Sequence, residues 1–150
     1  MSTDNMNIVK RIAIVAHDSS KNDLIDWSFH NREVLKRHEI IAAGYAADVL
    51  EGTLNIPVNK LVTGSLGGDA QMGKMITDGK IDVIIFLGYP KKTKPVDSDM
   101  KSLLHLAEEH NLVIALNKST AEVILTSAFL NDQHLKASLE VEVFDERKIV

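Results

Sequence analysis

Short runs of apolar residues recur along the chain at fairly even spacing. They are continuous rather than alternating, which is typical of strands that are buried on both faces of a parallel sheet. Between them, apolar residues recur at helical spacing, as in Leu24–Leu35, Leu103–Ala107 and Ala121–Leu125. This alternation of strand and helix predicts a layered α/β domain. The five predicted strands are Ile12–Ala16, Ile40–Ala43, Lys60–Val62, Val83–Leu87 and Leu112–Leu116.

The C-terminal stretch Leu139–Phe144 has a different pattern, in which apolar and acidic residues alternate. Strict alternation predicts an edge strand with one solvated face. No linker, repeat or low-complexity segment divides the chain. A single domain over residues 1–150 is therefore expected.

Composition narrows the functional classes. The 150 residues are 45% hydrophobic, which is enough for one domain with a substantial core. The formal net charge is −4 with acids and bases mixed, so a nucleic-acid partner is not expected. The apolar runs are too short to cross a membrane and the N-terminus has no signal-peptide core. These features predict a soluble, cytoplasmic protein with no membrane partner.

The cysteine and histidine content gives little support to metal or thiol chemistry. The chain has no cysteine, which removes disulfides, thiolate catalysis and cysteine metal sites together. Its six histidines include no pair at i, i+4 spacing. No metal site is therefore expected.

The ends of the predicted strands indicate where a ligand would bind. In an open parallel sheet, ligands bind outside the carboxyl ends of the strands. Polar and glycine residues follow each predicted strand here, so a site is expected at that edge of the sheet. These residues are His17-Asp18, Gly44-Tyr45, Thr63-Gly64, Gly88-Tyr89 and Asn117-Lys118.

The stretch from Gly64 to Asp69 is the most informative of these segments. It contains three glycines, the hydroxyl of Ser65 and a terminal carboxylate, and a helical pattern begins directly after it. Glycine allows backbone N–H groups to approach a ligand, and a helix N-terminus attracts anions. One interpretation is an anion cradle in which Asp69 is a base. The other is a tight turn in which Asp69 caps the helix.

Two further acidic segments have the same two interpretations. His17, Asp18 and Lys21 would bind an anionic ligand and move a proton, unless Asp18 or Ser19 only caps the next helix. Asp99 would be a second pocket carboxylate, unless it only stabilises the first turn of its helix.

The order and spacing of these motifs resemble the methylglyoxal synthase family across nearly the whole chain. The family has a Rossmann-like fold, which implies a three-layer sandwich with a mostly parallel five-stranded sheet and helices on both faces. Its members are homohexamers. The matching segments are Ile14–Asp18 with Lys21, Gly64 with Gly67–Asp69 and Gly73, Gly79–Phe86, Pro95, Asp97, Asp99, Lys101 with Leu103-Leu104, Asn117, Thr120-Ala121 and Asn131-Asp132.

The resemblance implies a carbon–oxygen lyase that converts dihydroxyacetone phosphate to methylglyoxal and phosphate through an enediolate. Asp69 would be the catalytic base, and no metal or organic cofactor is required. The other residues with implied roles are His17, Asp18 and Asp99 in the pocket, and Lys21, Thr63 and Gly64 at the phosphate.

The chain departs from the family pattern at the phosphate site. The family's Thr-Gly-Thr-Thr-Gly loop after the second strand is Ala43–Ala47 here, so three hydroxyl donors are missing. Each charge-assisted bond to phosphate contributes roughly 1.5–3 kcal/mol, so weaker phosphate binding is expected. Val96 replaces a family histidine, and Gly88-Tyr89-Pro90 replaces Trp-Asp-Pro. The family's C-terminal phosphate-binding arginine has no secure match; Arg147 and Lys148 are the nearest candidates.

Two functions are consistent with these residues. The first is a divergent lyase in which Lys21, Thr63, Ser65 and Gly44-Tyr45 hold the phosphate in a rearranged way. The second is a catalytically lapsed domain that binds another small anionic ligand or effector. Retention of Asp69 together with Asp99, His17, Asp18 and Lys21 favours the first.

Overall fold

A parallel β-sheet forms the centre of the computed structural model, which describes residues 9–16, 20–61, 68–87 and 98–131. The strand order within these residues is β3-β2-β1-β4-β5, and every pairing between neighbours is parallel. The prediction of a parallel sheet is thus confirmed. The strands are β1 (Arg11–Ala16), β2 (Glu39–Ala43), β3 (Asn59–Leu61), β4 (Val83–Leu87) and β5 (Val113–Ala115).

Helices lie between successive strands, as the hydrophobic pattern predicts. They are α1 (Lys21–His30), α2 (Arg32–Leu35), α3 (Gly44–Leu54), α4 (Gly68–Thr77), α5 (Ser98–Glu109) and α6 (Lys118–Leu125), and a 3₁₀ turn (Ala128–Asn131) follows α6.

The helical pattern predicted over Leu24–Leu35 is divided into α1 and α2 at Asn31. The side-chain amide of Asn31 donates to the carbonyl of Trp27 at 2.9 Å, and shares that carbonyl with the ordinary helical bond from the backbone N–H of Asn31. Asparagine competes with the helix for backbone groups in this way, so the first helix ends there.

Side chains from alternate positions of each strand enter two separate hydrophobic cores. Ile12 and Ile14 face α1, α2, α3 and α6, and we call this side the α1 face. Ala13 faces α4 and α5, on the side that we call the α4 face. All five residues of β4 are buried because helices cover both faces. The three-layer sandwich that the family resemblance implies is therefore confirmed.

Polar contacts join the strands at the end of the sheet where they begin, which we call the amino edge. The backbone N–H of Arg11 and its guanidinium both donate to the carboxylate of Asp82, at 2.8 and 3.2 Å. This hydrogen bond to Asp82 raises the pKa of Arg11. At the same edge, His38 Nδ1 accepts a hydrogen bond from the backbone N–H of Lys10 at 3.0 Å.

The edge strand predicted over Leu139–Phe144 lies outside the described residues. Within the described part of the chain, no helix is long and apolar enough to cross a membrane.

Candidate active site

The carboxyl ends of the strands define the other end of the sheet, the carboxyl edge. The chain passes from β1 through β2 to β3 in one direction, and β4 then pairs with the opposite side of β1. The strand order therefore reverses between β1 and β4, which pair along their length from Ile12–Val83 to Ala16–Leu87. A ligand in a sheet of this kind binds at such a switch point, outside the carboxyl ends.

Helix α1 begins at this switch point, directly after β1. Lys21 is its first residue and is exposed, and Ser20 occupies the N-cap position. One of the two interpretations of the sequence puts a cap at Asp18 or Ser19, but the N-cap position is Ser20 because the helix begins at Lys21. Ser20 Oγ is fully buried and makes no hydrogen bond to the described residues. His17 and Asp18 lie outside the described residues.

Sequence reasoning gave Ser20 no role, although the structure buries it beside the predicted site. A serine next to a helix start is ordinarily a cap that accepts a bond from the helix amides. Ser20 makes no such bond. Only its burial distinguishes it, and no local pattern in the sequence indicates that burial.

Helix α3 begins at the neighbouring carboxyl end, that of β2. Gly44 has a φ of 60°, a left-handed conformation that favours glycine at this tight junction. Ala43 caps the helix without a side-chain hydrogen bond, and Ala46 and Ala47 are buried in the α1-face core. Tyr45 is half-buried and packs against that core. The first turn therefore offers backbone N–H groups and one tyrosine, with no small hydroxyl side chain.

Two predicted catalytic carboxylates belong to the first turns of helices on the α4 face. Asp69 is the second residue of α4 and Asp99 is the second residue of α5. The two helices pack closely, since a Cβ built on Gly73 would lie 3.1 Å from Leu106 Cδ1. Thr63, Gly64 and Ser65 lie outside the described residues.

Helix α6 completes the carboxyl edge after β5. Asn117 caps it, with Oδ1 accepting from the backbone N–H of Thr120 at 2.8 Å. Lys118 Nζ lies 3.4 Å from Asp23 Oδ1, so an exposed ion pair joins α6 to α1. Sequence reasoning named Lys118 only as a residue that follows a strand, and the contact with Asp23 depends on the sheet order.

The N-termini of α1, α3, α4, α5 and α6 thus follow the five strands around one edge. Each N-terminus carries a partial positive charge, and anions bind favourably where several meet. Within residues 9–16, 20–61, 68–87 and 98–131, no group of three or more histidine, aspartate or glutamate side chains is placed to hold a metal ion.

Comparisons with known proteins agree with this geometry. A family model described as "MGS-like domain" matches residues 23–116. The methylglyoxal synthase of Coxiella burnetii is 40% identical over 141 residues, which cover 94% of this chain and 99% of the relative. The methylglyoxal synthase of Maridesulfovibrio salexigens is 38% identical over an alignment that covers 96% of this chain and 100% of the relative.

A solved structure extends the similarity to the backbone. The crystal structure of methylglyoxal synthase from Elizabethkingia anophelis NUHP1 superposes with a TM-score of 0.75 at 38% sequence identity. The superposition covers 82% of this chain and 81% of the other.

Proposed function

Because the chain belongs to the MGS-like domain family and is a lyase of the methylglyoxal synthase type, we propose that it converts dihydroxyacetone phosphate to methylglyoxal and phosphate. A base removes a proton from the hydroxyl-bearing carbon next to the carbonyl, which forms an enediolate. The electrons of the enediolate then expel phosphate by breaking the C–O bond of the phosphate-bearing carbon, on the other side of the former carbonyl, and the enol that remains tautomerises to methylglyoxal. The protein must supply a base, stabilise the enediolate and hold the phosphate.

The position of Asp69 carries the proposal. Asp69 is the second residue of α4, which connects β3 to β4 and begins on the carboxyl-edge side of the sheet. A carboxylate at a ligand-binding edge is well placed to take a carbon-bound proton. We assign Asp69 the role of catalytic base.

The enediolate and the leaving phosphate are both anions, and the carboxyl edge suits anions. The helix N-termini along this edge add partial positive charge where negative charge develops. Lys21 adds a full positive charge at the start of α1. We assign His17, Asp18 and Asp99 to proton transfer and hydrogen bonding around the enediolate.

We assign the phosphate to Lys21, Thr63, Gly64 and Ser65, together with the start of α3. Gly44 and Tyr45 begin that helix, and the buried alanines behind them contribute no hydroxyl. Backbone N–H groups at a helix start bind phosphate without side-chain help, but with fewer bonds. The enzyme should therefore bind its substrate weakly.

A catalytically lapsed domain is the less favoured reading. The relatives that match almost the whole chain are named methylglyoxal synthase. The fold also retains helix starts after every strand of the carboxyl edge.

The test compares two aspartates at opposite ends of α4. Asp69→Asn should lower kcat for dihydroxyacetone phosphate by about 10²–10⁴-fold, the range of general base catalysis. Asp78→Asn removes an exposed carboxylate directly after the last residue of α4, whose partner Lys74 lies 3.2 Å away. This control should keep the wild-type rate.

The assay is run at saturating substrate, with folding of each variant checked by circular dichroism. Absence of turnover by the folded wild-type protein would overturn the proposed reaction. Wild-type activity in Asp69→Asn would leave the reaction standing and overturn the assignment of the base.

A further inference from the structure

The outer edge of β3 faces a cleft. In the described part of the chain, β3 pairs with β2 alone. The cleft has a volume of about 570 Å³ and lies between β3 and α4. Its two apolar lining residues, Leu61 and Met75, are only partly buried against the α4-face core. The rest of its lining is polar or charged: Arg11, Glu39, Asn59, Gln71, Lys74, Asp78 and Lys80. An outer strand that no other described strand pairs with, beside two partly exposed apolar side chains, is able to pair with a further strand.

The hand of the connections shows in which direction the chain continues after β5. The helices α1 and α3 lie on the α1 face where the chain moves from β1 towards β3. The helices α4 and α5 lie on the α4 face where the chain moves towards β5. Connections between parallel strands keep one hand. Because α6 lies on the α1 face, a parallel strand that follows it belongs on the β3 side.

The end of the described chain agrees with this direction. The 3₁₀ turn after α6 brings the ring of Phe129 to 5.0 Å from Lys10 Nζ. The carbonyl of Lys10 accepts a hydrogen bond from the backbone N–H of Glu39, so Lys10 lies at the amino ends of β1 and β2. By this point the chain has returned from β5 to the middle of the amino edge.

The remaining distance is short enough for the residues available. Three strand spacings, about 14 Å, separate β1 from a position outside β3. Residues 132–138 can extend to about 23 Å. A strand that starts from the amino edge also runs in the direction of β3, so the pairing is parallel. The outer edge of β5 is equally distant, but a parallel strand there needs the opposite hand.

We propose that residues 139–144 of the same chain add to the sheet as a sixth strand, parallel to β3 and on its outer edge. Leu139, Val141 and Val143 then cover Leu61 and Met75 in the cleft. The intervening glutamates face the other side, where Lys60 is half-exposed and bonded to Asp48 and Glu51. The proposed strand accounts both for the alternation of apolar and acidic residues in this stretch and for the cleft beside β3.

Cysteine pairs test the position, because the natural chain has no cysteine. Leu61→Cys is combined in turn with Leu139→Cys, Val141→Cys and Val143→Cys in the full chain. Neighbouring strands bring Cβ atoms within disulfide range, so at least one pair should oxidise within a single chain. Two control pairs should stay reduced: Leu61→Cys with Glu142→Cys, on opposite faces, and Ile114→Cys with Val141→Cys, which reports on β5.

The products separate the alternatives by electrophoresis without reductant and by peptide mass. An internal disulfide to position 61 supports the proposal. Oxidation of the Ile114 pair, a disulfide-linked dimer in place of the internal product, or no oxidation in any Leu61 pair overturns it. A disulfide-linked dimer would mean that the cleft binds the same segment of a second copy of the chain.

Hydrogen exchange gives a second measurement that needs no cross-link. Val141→Asp places a charge in the cleft and should speed exchange of the 59–61 amides by about tenfold or more. The matched change Glu142→Gln should leave these amides unchanged. Unchanged exchange at 59–61 in Val141→Asp overturns the proposal.

Discussion

His38 is buried at the amino edge, where its Nδ1 accepts a hydrogen bond from the backbone N–H of Lys10. An imidazole that accepts through Nδ1 is neutral and carries its proton on Nε2. Burial lowers the pKa of His38, and the positive charges of Arg37 and Lys10 lower it further. Protonation would put two N–H donors face to face and bury a charge.

The lowered pKa of His38 predicts a loss of stability in mild acid. The unfolded chain takes up the proton near pH 6.5, before the folded chain does. His38 should therefore leave the free energy of unfolding unchanged above about pH 6.5. Below that pH the free energy of unfolding should fall, by at most about 1.4 kcal/mol per pH unit. Urea unfolding at pH 7.5 and pH 5 measures this change.

His38→Asn keeps an acceptor for Lys10 and removes the titration, so its loss between the two pH values should be smaller. His105→Asn is the matched control, because that imidazole is exposed beside Glu109. An equal loss in His38→Asn and the wild-type protein would contradict the prediction.

At the scale of elements, α3 and α4 each contain a glycine within the helix, at positions 52 and 73. A Cβ at Gly52 would meet no atom within 4 Å, whereas a Cβ at Gly73 would meet Leu106 of α5. Alanine is favoured over glycine in a helix by about 0.8–1 kcal/mol. The two sites therefore separate helix propensity from helix packing.

Gly52→Ala should raise the free energy of unfolding by about 0.5–1 kcal/mol. Gly73→Ala should gain less, because Leu106 must move by a few tenths of an ångström. In a Leu106→Ala background the gain at position 73 should return. A double-mutant cycle by urea unfolding measures the coupling, and equal gains at positions 52 and 73 in the wild-type background would be the contrary result.

For the whole molecule, the resemblance to the methylglyoxal synthase family predicts a homohexamer. Light scattering should then report six times the 16.6 kDa mass of one chain. The mass should hold in both Gly→Ala variants, which change neither charge nor the strand edges. A monomer at micromolar concentration would refute the hexamer.

The carboxyl-edge site could be predicted only in part from the sequence. The apolar runs, their helical connections and the rule that ligands bind at strand ends predict a site at the carboxyl ends of the strands. Which residues lie next to one another at that site depends on the strand order, which local sequence does not give. The pairing of Lys118 with Asp23 and the burial of Ser20 depend on which strands are adjacent.

Local pattern alone determined the layered α/β class, because strands buried on both faces need continuous apolar residues and surface helices need a 3.6-residue period. It also determined which residues follow the strands. Only the tertiary structure decided that the order reverses between β1 and β4, that Asn31 divides the first helix and that α6 lies on the α1 face. These depend on contacts between residues far apart in the chain, whose energies do not appear in any local window of sequence.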